Sequence, residues 1–453
     1  MESLHVDDLG VLSLDDLVEI ALERNLDLQV KAWEAHIQKA VLHREIWAMM
    51  PEFEISYDTR GRNNNPGSSS QSLVPGIPPA PPSVSSEKNS QRTLAEVTFR
   101  LIDFGIAYVQ SHQEANRLLI KRAEYDRVRQ NLILEVIQHY WKAAAAKVGI
   151  EGIERMQERV ENYLQSLDRL MRLRILSQME GLENQYTILN VRLDYLNYRR
   201  IYNEEIIRLK ELLGLTPNTH FEISIPDISL VSVPIADLKD LEEIALRSRP
   251  ELFIKDFEET IACDEIRKAI INLVPGAEVF FGYNRDSNEF LIERSWLHVG
   301  FLVIGDLFDL PRKWQQKKVA ERERHLARLS RFLTSMAVMT QVHLAYFEYQ
   351  DELKRHETVF QIDEVKRRLL EGAIKETLYG GMNEFQVISF EAESLLAKVR
   401  DVEAYGYVYY ALEKVNNAIG KPQFYRIKEQ NYDTCATTAM FDGDSVLGKP
   451  AIN

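Results

Sequence analysis

The sequence contains two similar copies of one pattern, each spanning roughly half of the 453 residues. This repeat constrains the fold more than any other feature. The segment Asp16–Leu22 (DLVEIAL) returns 224 positions later as Asp240–Leu246 (DLEEIAL), and Pro51 returns as Pro275. An offset held over about 35 residues indicates a duplication, and two copies are too few for a solenoid. We therefore predict one fold made of two equivalent halves.

Further along the chain the two copies remain aligned, but at a shorter offset. Leu101–Phe104 (LIDF) corresponds to Leu307–Leu310 (LFDL), and Tyr140 corresponds to Tyr346, at an offset of 206. The 18 residues by which the two offsets differ fall within a predicted hairpin loop. Insertions concentrate in such loop tips. The change of offset therefore supports both the duplication and the hairpin.

Each half shows the same order of predicted elements. Residues 52–58 are apolar at every second position, which predicts a strand with one apolar face. A loop rich in Asn, Gly, Pro and Ser follows over 61–92, and alternation resumes at 95–101. These strands are predicted to pair as an antiparallel hairpin, and the pattern recurs after Pro275.

A long helix follows each hairpin. No proline lies between Pro82 and Pro217, and apolar residues keep a helical spacing, which predicts a helix from about 105 to 173. Such a helix is roughly 100 Å long. The second half predicts its counterpart from about 312 to 377. Helices of this length cannot bury themselves against short strands, so they must pack together as a bundle or tube.

The predicted chain is mostly α-helical and divides at the repeats. Each repeat is expected to open with one helix, the first from Ser13 to about Met49 and the second from about 237 to 273. Residues 1–12 are expected to be a lead-in, and a short strand is predicted at 222–225. The predicted units are 1–215 with a hairpin at about 51–102, a linker at 216–236, 237–421 with a hairpin at about 275–305, and a C-terminal tail at 422–453.

Composition argues against several classes of function. The net charge of −14 argues against nucleic acid as a partner, because phosphate binding requires clustered Lys and Arg. No catalytic, phosphate-binding or metal-binding motif is found, so we expect no enzyme, no cofactor and no metal site. The N-terminus lacks the basic and apolar regions of a signal peptide, so we expect either a cytoplasmic chain or a leader upstream. Whether Cys263 and Cys435 pair is left open.

The four predicted strands allow two architectures. Strands of about 8–10 residues with one apolar face have the length of a membrane-spanning strand, but four cannot close a barrel without other copies of the chain. A four-stranded sheet packed on soluble helices is the alternative, and the strands taken alone favour it. The long helices favour the tube.

The order of several motifs resembles the TolC-like family of outer membrane efflux proteins. In the first half these motifs are LSLDDLVEIALERNLDL, MMPEFEISYD, LIDFG, HYWKAAAA and LLGL. In the second half they are IALRSRPEL, LVPGAEVFFGY, GDLFDL and LYGGMNEFQVISFEAESLL. The resemblance covers about residues 13–421.

The resemblance implies a homotrimer in the outer membrane. Its fold would be a 12-stranded β-barrel in the lipid, continuous with a long α-helical barrel of coiled-coil character in the periplasm. Its function would be that of a channel, the exit duct of a tripartite efflux or type I secretion system. A periplasmic adaptor (membrane fusion) protein would link it to an inner-membrane pump. The exported substrate and the identity of the pump and adaptor stay open, and the alternative function is a soluble long-helix scaffold with a small sheet.

The turns between each long helix and its return helix are the candidate functional sites. By resemblance they close the periplasmic end of the tube and contact the adaptor. Arg174 stands where the family has a glycine, Glu180 keeps the family's acid, and Gln386 replaces that acid in the second half. The gate candidates are Arg174, Ser177, Glu180, Glu183, Asn383, Glu384 and Gln386, and the adaptor-contact candidates are Gly380, Gly381 and Met382.

A physical mechanism for the gate follows from threefold symmetry. One Glu180 per subunit would form a ring of three acids, which attracts cations. Arg172 and Arg174 would pair with nearby acids and hold the tip shut. Opening would then require a partner that favours the splayed state. The alternative is an ordinary solvated helix turn.

Overall fold

The computed structural model describes residues 8–228, 235–378 and 381–421. Its helices are α1 (Leu14–Arg24), α2 (Leu26–Trp47), α3 (Leu101–Arg172), α4 (Gln178–Leu212), α5 (Leu238–Ser248), α6 (Pro250–Ile271), α7 (Leu310–Leu378) and α8 (Glu384–Ala418). Its strands are β1 (Asp8–Leu12), β2 (Glu52–Gly61), β3 (Gly67–Ser68), β4 (Ser83–Val84), β5 (Asn89–Arg100), β6 (His220–Ile223), β7 (Gly276–Asp286) and β8 (Ser295–Ile304). Both halves contain, in the same order, a helix pair, a hairpin, a long helix and a return helix.

The two predicted hairpins are confirmed and together form one antiparallel sheet in the order β2-β5-β7-β8. The register places Phe53, Val97, Phe281 and Val299 in one row across all four strands. The large side chains on this face are exposed: Phe53, Ile55, Tyr57, Val279, Phe281, Tyr283, Leu297, Val299, Phe301 and Val303. The sheet therefore presents a continuous apolar face, which we call the apolar sheet face. Within the described ranges nothing covers it.

The opposite face of the sheet is polar near its middle. Glu54, Glu96, Gly282 and His298 form a row there. The Nε2 atom of His298 lies 2.8 Å from the Glu96 carboxylate, and its Nδ1 atom lies 2.8 Å from the amide nitrogen of Asn284. β2 and β8 are the two edges, and in the described part of the chain neither pairs with a further strand.

The long helices have the predicted extent. α3 has 72 residues and α7 has 69, so each is about 100 Å long. Both start a few residues earlier than predicted. Within the described ranges, none of the helices combines the length and apolarity that a membrane span requires.

The helices form a layer four helices wide. Near the sheet, α3 contacts α2 and α6, and α6 contacts α7. Away from the sheet, α3 contacts α4 and α8, and α8 contacts α7. The order across the layer is therefore α2-α3-α6-α7 in one half of its length and α4-α3-α8-α7 in the other. α2 and α4 form one edge, and α7 forms the other.

The prediction of one helix at the start of each repeat is wrong, because each is two helices. The first break falls at Asn25, whose side-chain oxygen accepts the N–H of Leu28 at 2.9 Å and so caps α2. Its amide nitrogen donates to the carbonyl of Leu212 at 2.9 Å, which fixes the break against the end of α4. The second break falls before Pro250, the first residue of α6, since proline lacks the N–H needed to continue α5.

The predicted lead-in at 1–12 contains a strand, because residues 8–12 form β1. β1 pairs in parallel with β6, so the strand predicted at 222–225 is observed two residues earlier. The hydroxyl of Tyr140 donates to the carbonyl of Ser224 at 2.5 Å and ties this small sheet to α3. Part of the predicted linker and the whole predicted tail, which contains Cys435, lie outside the described residues.

Candidate functional site

The first tip turn, between α3 and α4, keeps a left-handed residue without using glycine. Arg174 has a φ of 54°. Its N–H donates to the carbonyl of Met171 at 3.1 Å, and the N–H of Ile175 donates to the carbonyl of Leu170 at 3.0 Å. This pair of bonds is the Schellman motif, in which glycine usually supplies the left-handed residue. The arginine therefore holds a strained conformation at a predicted site.

The start of α4 fixes the position of Glu180. The Ser177 hydroxyl oxygen accepts the N–H of Glu180 at 3.1 Å and caps the helix. The carboxylate of Glu180 is exposed in the first turn of the helix, where the helix dipole favours a negative charge. Glu183 lies one turn further along and is also exposed.

The second tip turn, before α8, has a complete capping box. The Asn383 side chain accepts the N–H of Gln386 at 2.9 Å, and the Gln386 side-chain oxygen accepts the N–H of Asn383 at 3.0 Å. Glu384 is exposed, and Met382 is half-buried. Gln386 therefore has a structural role in ending the turn.

The two turns are equivalent at the offset of 206. The N–H of Gly381 donates to the carbonyl of Glu376 at 2.9 Å, as that of Ile175 does to Leu170 in the first turn. Gly380 lies outside the described residues. The N-caps Ser177 and Asn383 correspond, as do Glu180 and Gln386. The first turn therefore has a free charge where the second has a neutral side chain held in a cap.

Tyr163 of α3 joins the two tips, a role that its apolar spacing in the sequence does not indicate. Its hydroxyl accepts a hydrogen bond from the side-chain amide of Asn184 at 2.9 Å. Its ring stacks on Phe385 of α8, with the ring centres 5.7 Å apart. Burial raises the pKa of Tyr163, and the charges of Glu180 and Glu384 raise it further. The predicted acids Glu180 and Glu384 thus lie beside a buried contact between the α3–α4 helix pair and α8.

Ion pairs join the helices above the tips. Arg159 of α3 pairs with Glu391 of α8, and Lys366 of α7 pairs with Glu393 of α8 at 2.6 Å. In the described part of the chain, neither Arg172 nor Arg174 forms an ion pair. The predicted pairing of these two arginines with nearby acids is therefore not observed within the described part of one chain.

Both edges of the helical layer carry exposed apolar residues at three- and four-residue spacing, which is typical of coiled-coil seams. On one edge these residues are Leu26, Val30, Trp33 and Ile37 of α2 and Leu182, Tyr186, Leu189, Leu193 and Leu196 of α4. On the other edge they are Leu326, Leu329, Leu333, Met336, Phe347, Ile362, Val365 and Leu369 of α7. The two edges differ in sequence, so each is suited to a partner unlike itself.

The centre of the layer is held by two adjacent aromatic residues of α3. Tyr140 and Trp141 are buried on α3. The Trp141 ring lies 5.0 Å from that of Tyr405 and 5.6 Å from that of Tyr409, both on α8. Among the described residues, no group of three or more His, Cys, Asp or Glu side chains could hold a metal ion.

Comparisons with known proteins agree with this geometry. Residues 17–215 match the model of a family described as outer membrane efflux protein, a family of transport conduits rather than enzymes. No curated protein matches the sequence. The fold is similar to that of the CmeC outer membrane channel of Campylobacter jejuni, with a TM-score of 0.73 and 14% identity over 90% of this chain and 85% of that chain.

Two further solved structures are similar. The open state of the MtrE outer membrane channel of Neisseria gonorrhoeae has a TM-score of 0.70 and 16% identity, over 90% of this chain and 89% of that chain. The outer membrane protein VceC of Vibrio cholerae has a TM-score of 0.70 and 13% identity, over 90% and 96%. These findings confirm the resemblance seen in the motifs: the first half of the chain matches the outer membrane efflux protein family, and the fold is that of outer-membrane channels.

Proposed function

We propose that the chain is one subunit of a trimeric exit duct, which lies in the outer membrane and extends into the periplasm. The duct is passive and belongs to a tripartite efflux system, in which an adaptor protein links it to an inner-membrane pump. The match to a family of efflux proteins favours efflux over type I secretion. In this proposal 1–215 and 237–421 are two structural repeats, joined by 216–236.

The apolar sheet face carries the proposal. Its side chains lie in register across four strands and are exposed, which is unfavourable in water and favourable in lipid. The strands have 10 to 12 residues, enough to cross a bilayer. The free edges β2 and β8 cannot face lipid, so β8 of one copy pairs with β2 of the next. Three copies close a barrel of twelve strands.

The edges of the helical layer support the same assembly. The seam on α7 and the seam on α2 and α4 are different surfaces, so contact between copies is head-to-tail. Head-to-tail contacts close into rings when the rotation permits. Three copies of a layer four helices wide give a tube of twelve helices, and the polar face of the sheet lines the barrel that continues it.

The tips act as the gate at the periplasmic end. Ser177 holds Glu180 at the first turn of α4, and three copies of Glu180 form a negative constriction for cations. Glu183 and Glu384 add to the charge of this constriction. Asn383 and Gln386 fix the start of α8. Residues 380–382 meet the adaptor, which favours the open state.

Opening of the gate separates the α3–α4 helix pair of each subunit from its α7–α8 helix pair. The contact between Tyr163 and Phe385 joins these two helix pairs at the tip, and the ion pair of Arg159 and Glu391 joins them further from the tip. A partner that binds the separated helix pairs more tightly shifts the equilibrium by its difference in affinity for the two states. Arg174, at the strained turn, lies where the adaptor would approach.

Conductance in planar lipid bilayers tests the proposal. The purified chain is expected to require detergent, to insert into the bilayer and to give discrete channels that favour cations. The channels are expected to stay mostly closed without the adaptor. A chain that is soluble without detergent and never inserts would contradict the duct and would favour a soluble helical scaffold.

A further inference from the structure

The start of α7 is strongly basic in an acidic protein. Residues 312–331 contain eight Lys or Arg and two Glu, a net charge of +6, whereas the whole chain has a net charge of −14. The equivalent stretch of α3, 106–125, contains three Lys or Arg and two Glu. The basic stretch is therefore a feature of the second repeat alone, and the duplicated fold does not require it.

Several of these basic residues share one face of α7 with an exposed tryptophan. Trp314, Lys317 and Lys318 are separated by three or four residues, and the same helical spacing continues to His343. His343 contacts Glu242 of α5, so this face of α7 is the one on which α5 lies. This face of α7 therefore lies on the side of the layer that carries α5.

The basic residues on this face are only partly neutralised. The Lys317 ammonium lies 5.0 Å from the centre of the Trp314 ring and 3.4 Å from the Glu321 carboxylate. Lys318 is exposed and, in the described part of the chain, has no ion pair. The cluster therefore has unused capacity for an anion.

The first turns of each long helix, which follow the sheet in the chain, carry an exposed aromatic residue. The equivalent of Trp314 on α3 is Tyr108, and these two side chains are 49% and 63% exposed. Phe104, one turn before Tyr108, packs against Phe99 with ring centres 5.5 Å apart. Phe99 opposes Val279, so it belongs to the apolar sheet face. Exposed aromatic residues thus follow the apolar surface directly, as they do at a membrane interface.

The two lysines lie a few ångströms beyond the headgroup layer, within reach of their side chains. Lys317 and Lys318 lie seven and eight residues after Leu310, the first residue of α7, which is about 10–12 Å along the axis. The polar layer on each side of a bilayer is about 5–8 Å thick, and lysine side chains can extend towards it.

We propose that Trp314, Lys317 and Lys318 form a binding site for an anionic phospholipid in the periplasmic leaflet of the outer membrane. The indole lies at the level of the headgroup, and the two ammonium groups bind the phosphate. Ser111 and His112 occupy the equivalent positions of the first repeat, so each chain has one such site. The inference rests on the proposed function, because it needs the sheet to lie in a bilayer.

Lipid binding to the full chain tests the site. The protein is purified in detergent, and its binding of phosphatidylglycerol and of phosphatidylcholine is measured by native mass spectrometry. The wild type is expected to bind phosphatidylglycerol more tightly. The double variant Lys317→Gln/Lys318→Gln is expected to lose at least about fivefold in affinity for phosphatidylglycerol, since one lysine near an anionic surface contributes about that factor. Its binding of phosphatidylcholine is expected to stay unchanged.

A matched control removes the same charge elsewhere on α7. Lys354 and Lys375 are exposed and lie far from the sheet, so Lys354→Gln/Lys375→Gln is expected to keep the wild-type preference. A wild type without preference, or a Lys317/Lys318 variant that keeps it, would overturn the site.

Insertion into bilayers is recorded in parallel and separates the two proposals. Insertion without a lipid preference overturns the lipid site alone. A failure to insert overturns the duct, and the lipid site with it.

Discussion

Replacement of Gly406 by alanine is a sharp test of how the two repeats are joined. Gly406 lies on α8, opposite Trp141 of α3. A Cβ atom at this position would lie 2.5 Å from the Cβ of Trp141 and 2.8 Å from its Cγ, both well inside van der Waals contact. Trp141 is buried between Tyr405 and Tyr409, so it cannot move away without disturbing the aromatic cluster.

Two effects of opposite sign decide the outcome at Gly406. Glycine to alanine in a helix normally stabilises by about 1 kcal/mol, because glycine loses more backbone entropy on folding. An extra methyl group in a tightly packed core costs about 1–3 kcal/mol. Because the contact involves the stem of a confined tryptophan, we expect the steric cost to win. With the steric cost at the upper end of its range, about 2–3 kcal/mol, the net loss expected is about 1–2 kcal/mol.

Gly372 on α7 is the matched control. A Cβ atom there would meet nothing within 4 Å, so Gly372→Ala is expected to stabilise the protein by about 0.5–1 kcal/mol. The free energy of unfolding is measured from urea titrations in detergent, followed by circular dichroism at a fixed protein concentration. A Gly406→Ala variant as stable as the wild type, or more stable, would refute the packing argument.

Three further predictions address the tip and the small sheet. Glu180→Gln is expected to weaken block by divalent cations in planar bilayers by about tenfold, because the charges of the ring are removed; unchanged block would exclude the ring. Arg174→Gly is expected to raise stability by about 1 kcal/mol, since glycine adopts a φ of 54° without strain; a loss of stability in urea titration would contradict this. Burial raises the pKa of Tyr140 from 10.0 to about 12. Ionisation therefore favours the unfolded chain, and stability should fall as the pH rises from 10 to 12. The stability of Tyr140→Phe should fall less over that range. A variant whose stability changes with pH as that of the wild type does would contradict the raised pKa of Tyr140.

The elements with strong local patterns could be predicted from the sequence. Alternation at 52–58 and proline-free helical spacing over 105–173 are local signals, and both correspond to observed elements. The equivalence of the two tip turns could also be predicted from the sequence, because the offset of 206 aligns Ser177 with Asn383.

Features that depend on distant residues could not be predicted in the same way. The break at Asn25 needs the carbonyl of Leu212, and β1 needs β6, more than 200 residues away. The helix start at Pro250 is different, because proline is a local signal for a helix boundary. The prediction of one continuous helix followed the helical spacing of the apolar residues around it instead.

The tip contact shows the same limit. Tyr163 belongs to an ordinary apolar stripe in the sequence, and only folding brings Asn184 and Phe385 to it. Likewise, an arginine in the left-handed region carries no local signal, since glycine is the usual residue there. The turn was located by the resemblance of the second repeat to the family's tip turn and by the matching stretch in the first repeat.

The mass of the detergent-solubilised particle tests the central claim most directly. Sedimentation equilibrium with density matching of the detergent gives the mass of protein alone. The proposed duct predicts three times the 52.5 kDa of one chain, because the proposal assigns three copies to its twelve strands and twelve helices. A stable particle with the mass of a single chain would leave both edges of the sheet open and would contradict the duct.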